Sequence, residues 1–113
     1  MTASLSKLPQ SEQPISEQFR IIAKKWVDAD SAANLLERTK DTFLSKKMLA
    51  LGEMPVSKAD MQVKASIEWT EHIDAIVAAR RDANLLKLQL EYIRMRFSEQ
   101  QSAEATARKE RGL

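Results

Sequence analysis

Residues 85–97 read LLKLQLEYIRMRF. The stretch alternates apolar and polar residues as a strand would, yet it is built from helix formers and carries Lys87, Arg94 and Arg96. Its neighbours decide between the two. Upstream, Trp69, His72, Ile76, Ala79 and Ala83 follow one another at steps of three and four, and the series runs on through Leu86, Leu90, Ile93 and Phe97. That is a heptad seam, the pattern of a helix in coiled-coil-like contact. Leu85, Leu88 and Met95 lie beside the seam and widen the stripe. The alternation is that of a helix apolar on more than one side, and such a helix needs more than one partner.

The first half of the chain carries a matching stripe. Phe19, Ile22, Trp26, Ala29, Ala33 and Leu36 lead on to Phe43, Leu44, Met48 and Leu51, mostly at steps of three and four. Ser16 is a candidate N-cap with Glu17 in the first turn, where negative charge suits the helix dipole. Gly52 is a natural helix stop with Pro55 behind it. Ser57-Lys58-Ala59-Asp60 has the form of a capping box with Asp as its acid.

The expected architecture is therefore all-α: a helix over 16–51, a turn over 52–57 and a long helix over 58–110. Residues 1–15, rich in Ser, Gln and Pro, read as a mobile tail before a single helical domain at 16–111. A short connection predicts an antiparallel two-helix hairpin. Centring the turn near residues 54 and 55 sets Ile22 near Leu86, Phe19 near Leu90, Ala33 opposite Ile76 and Leu36 near Ile73. Val63, Ile67, Leu85, Leu88 and Met95 are left without a partner in the hairpin. Two helices bury little area against their conformational entropy. Self-association into a homo-oligomer through Leu85, Leu88 and Met95 is the expectation.

Composition narrows the function classes. The 113 residues hold no cysteine, so disulfides and thiolate metal sites are excluded. The single His72 falls in the seam, Trp26 and Trp69 fall on apolar stripes, and Gly-rich phosphate loops are absent. These read as packing residues; catalysis, metal and cofactor are not expected. No apolar run approaches a membrane span. MTASLSKLPQSEQP lacks the apolar core of a secretory signal, so the reading is a cytoplasmic protein.

Net charge is only +2, but residues 78–97 hold five Lys or Arg against Asp82 and Glu91. Arg80, Lys87 and Arg94 recur every seven residues, with Arg81 and Arg96 nearby. Glu91 is spaced to neutralise Lys87 and Arg94 in part. Such a row serves either as a track for a phosphate backbone or as a coiled-coil flank that sets partner choice. Tyr92, four residues before Arg96, can stack on a base or lie over a neighbouring helix.

Leu86-Lys87-Leu88-Gln89-Leu90-Glu91-Tyr92 resembles the Leu-Lys-Ala-Arg-Leu-Asp-Tyr motif of the phage recombination mediators of the UvsY type. Leu86, Lys87, Leu90 and Tyr92 match, Glu91 replaces Asp, and Gln89 stands in place of Arg, with Arg94 and Arg96 close enough to restore a cation. The resemblance implies an oligomeric, single-stranded-DNA-binding accessory factor in phage-type recombination or replication. Such a factor acts in the bacterial host cytoplasm and helps load a RecA-type recombinase in place of a single-strand-binding protein. Arg80, Arg81, Lys87, Tyr92, Arg94 and Arg96 would then contact nucleic acid. The competing expectation is a helical protein–protein interaction module, an oligomeric adaptor or inhibitor, that binds no nucleic acid.

Overall fold

The computed structural model describes residues 13–112, and they are helical throughout apart from short turns. The elements are α1 (Ile15–Arg38), α2 (Lys40–Ala50), α3 (Val56–Lys64) and α4 (Ile67–Glu110). No strand occurs among the described residues. Most of the expected tail, residues 1–12, lies outside them.

Each expected helix is broken once, and each break has a hydroxyl at its centre. Thr39 separates α1 from α2. Its Oγ1 donates to the Leu36 carbonyl at 2.8 Å, and its N–H is shared between the Leu35 and Leu36 carbonyls. A side chain that bonds back to the preceding turn competes with the helix ladder. Ser66 separates α3 from α4. Its Oγ donates to the Val63 carbonyl and accepts the Trp69 N–H at 3.2 Å. Ser66 is thus a true N-cap, with Glu68 in the first turn that follows.

The expected caps are displaced. α1 is already helical at Ile15, because the Pro14 carbonyl accepts the N–H groups of Glu17 and Gln18 at 3.0 Å, so Ser16 lies inside the helix. α3 begins after Pro55, which makes no side-chain cap, so Ser57 also lies inside its helix. Gly52 behaves as expected: at φ +83° it donates to the Leu49 carbonyl and stops α2.

The described residues divide into two compact units. The first joins residues 13–27 to 85–112. Its core is Ile22, Leu90 and Ile93, with Phe19, Ala23, Trp26 and Leu86 packed around them. Partners fall in antiparallel order: Gln18 meets Arg96 and Phe19 meets Arg94, so rising numbers on α1 meet falling numbers on α4. The core closes at Ile93; Phe97, expected at the end of the seam, stays 47 % exposed.

The second unit spans residues 28–84. Ala33 and Ala83 are fully buried, as are, nearly so, Ala59 and Val63. Val63 therefore has a place that the two-helix reading did not give it, because α3 packs on α2 as a helix of its own. Ile67 remains exposed. The Phe43 ring stacks on His72 with centroids 4.3 Å apart and sits 6.1 Å from Trp69. His72 and Trp69 are packing residues here.

Ala83→Leu should cost about 1–3 kcal/mol in chemical denaturation, because a larger side chain has no space to enter. Leu35→Ala, at an exposed site, should stay within about 0.5 kcal/mol. Equal effects would contradict the burial described.

Candidate nucleic-acid interface

Residues 85–97 lie within α4 and within the first unit, so their directions follow from 3.6 residues per turn. Leu86, Leu90 and Ile93 point at α1 and form or border the core. Leu85, Leu88, Tyr92 and Met95 point roughly 160° away. They follow one another at steps of three, four and three, and are between 49 % and 61 % exposed. This is a second heptad stripe, left exposed by the described residues of its unit.

The cations do not share one face. Lys87 and Arg94, seven residues apart, are offset by only about 20° and border the inward face on one side. Tyr92 lies roughly 140–160° from both, and Arg96 sits about 40° from Tyr92. The sequence groups these four; the helix splits them into two pairs. Tyr92 belongs with Leu85, Leu88 and Met95.

Their local chemistry differs as well. Lys87 is exposed and makes no hydrogen bond or ion pair among the described residues. Glu91, expected to neutralise it, also makes none. The Arg94 guanidinium lies 5.4 Å from the centre of the Phe19 ring, a cation–π contact that holds the side chain over the start of α1. Arg96 Nη1 donates to Oε1 of the buried Gln18 at 3.1 Å, while Gln18 Nε2 donates to the Gln13 carbonyl at 2.8 Å. Arg96 thus fastens the entry to α1, with donors left over.

Beside Arg94 an open groove of about 520 Å³ is lined by Ile15, Phe19, Ile93 and Phe97, with Ser16 and Ser98 at its edge. Phe97 is the exposed aromatic on the Arg94 side of the helix. Its heptad spacing places it in the seam, yet it stays 47 % exposed. Its spacing of three from Arg94 was the signal that a cation and an aromatic adjoin.

Arg80 and Arg81 lie in the second unit. Arg80 Nε donates to Glu37 at 3.0 Å, Nη1 to Asp30 at 2.6 Å and Nη2 to Asn34 at 2.6 Å. The Glu37 bond first, then the Asp30 bond, favour its charged form still further. A guanidinium engaged on three nitrogens is a cross-link between α1 and α4, which removes Arg80 from the row expected to meet phosphate. Arg81 is exposed and makes no hydrogen bond or ion pair among the described residues. At the start of α1, Arg20 donates to Glu17 at 2.6 Å and holds that carboxyl below the usual range.

No family model, curated protein or solved structure matches the chain. Among the described residues, no group of three His, Asp or Glu could hold a metal ion. No described helix is long and apolar enough to cross a membrane.

Arg80→Ala should lower the melting temperature, whereas Arg81→Ala should leave it in place. Arg80→Lys should not restore it, since an ammonium cannot reproduce the three-way fork. Identical melting curves for Arg80→Ala and Arg81→Ala would show that the cluster contributes nothing.

Proposed function

We propose that this chain is a single-stranded-DNA-binding accessory factor of phage-type recombination or replication. It works as a homo-oligomeric mediator that helps load a recombinase. Its scaffold is an antiparallel helical hairpin with a coiled-coil-like seam, and copies join through the outward stripe of α4. The carrying observation is that Lys87 and Arg94 border the inward face of α4, away from its outward stripe, and neither has a carboxylate partner among the described residues. They are about 10 Å apart along the axis, and they remain open to a phosphate backbone when the stripe is covered. The motif from Leu86 to Tyr92 supports the same reading, with Lys87 as its cation. Phe97 takes the stacking role first given to Tyr92, because it adjoins Arg94 at the open groove. Arg81 is a secondary contact; Arg96, on the opposite side of α4 from Lys87, is not.

A second reading is a protein-interaction module without nucleic acid. The exposed Leu85, Leu88 and Met95 favour it, since an apolar stripe serves a protein partner as well as a copy.

Fluorescence anisotropy with a labelled single-stranded oligonucleotide separates the two. Binding should weaken with salt, and Lys87→Ala with Arg94→Ala should flatten the log–log slope by roughly 0.7 for each cation lost per contacting protomer. Circular dichroism should be unchanged. No affinity at low salt would remove the nucleic-acid reading and leave the second.

A further inference from the structure

We propose that the outward stripe of α4 pairs with the same stripe of a second copy in parallel and in register. The proposal rests on the self-association in the reading above and not on its DNA arm. Leu85, Leu88, Tyr92 and Met95 occupy alternating core positions of two heptads, all exposed. At the same heptad positions further on stand Glu99 and Ser102, so the apolar contact ends with Met95.

The flanks decide the direction. Glu91 immediately precedes the core residue Tyr92, and Arg96 immediately follows the core residue Met95. In a parallel pair, a residue on the first kind of flank reaches the partner residue five positions later on the other. Glu91 therefore meets Arg96 of the second copy, and the symmetry makes the contact twice. Among the described residues Glu91 is exposed and makes no hydrogen bond or ion pair, and Arg96 uses only Nη1, on Gln18. An antiparallel pair, with Leu85 across from Met95 and Leu88 across from Tyr92, sets Glu91 against Glu91 and offers Arg96 only Asp82. Lys87 and Arg94 lie outside the contact in either case.

The absence of cysteine from the chain makes the test clean. Leu85→Cys and Met95→Cys are made separately in the full chain and oxidised, alone and mixed. In the parallel pair each variant forms a disulfide dimer with itself, and the mixture gives the two homodimers. In the antiparallel pair, identical positions lie about 15 Å apart along the axis, beyond the roughly 7 Å Cα limit of a disulfide. Self-linking of both variants is the expected result. Linking only in the mixture, or in no sample, overturns the parallel pairing. A monomer in light scattering removes the self-association beneath it. No nucleic acid is present in these assays, so their failure is distinct from failure of DNA binding.

Discussion

A helix of 3.6 residues per turn has more circumference than one neighbour can cover, and α4 is apolar around too much of it. An inward stripe of about 100° is what a single packed helix satisfies. Leu86, Leu90 and Ile93 fill that stripe against Phe19, Ile22 and Trp26. Leu85, Leu88, Tyr92 and Met95 are the surplus. What residues 85–97 can do depends on how this surplus is covered and on what remains open afterwards.

What remains open is a narrow cationic edge. Two of the six residues first read as contacting nucleic acid serve the fold: Arg80 joins Asp30, Asn34 and Glu37, and Arg96 holds Gln18. Lys87 and Arg94 have no such duty towards a carboxylate. A net charge of +2 spread over 113 residues gives weak long-range attraction. The two cations of this edge would bind a polyanion usefully only when several chains align them. Nucleic-acid binding thus depends on self-assembly in the proposed function, and not the reverse.

Much of the fold was legible because helical periodicity is a local property. The inward residues Leu86, Leu90 and Ile93, the facing Phe19 and Ile22, and the stop at Gly52 all follow from spacing. The two breaks were not read. Thr39 and Ser66 act through single hydroxyl bonds, and a Ser or Thr among helix formers looks the same whether it caps or points to solvent. The Arg80 cluster was hidden for another reason: its partners lie 43 to 50 residues away in sequence, and charge pairing at that distance leaves no periodic trace. The separation of Tyr92 from Lys87 was available from arithmetic. Five residues is nearly half a turn out of phase, whatever the neighbours in the printed string suggest.

The central claim is that the outward stripe is a contact between copies. Light scattering of the full chain and of Leu88→Glu measures it most directly. The parent should run as a multiple of 12.8 kDa. The variant should fall to the single-chain mass with its helical circular dichroism intact, because Leu88 lies outside the core. A parent that is already 12.8 kDa, or a variant that assembles as the parent does, would contradict the account.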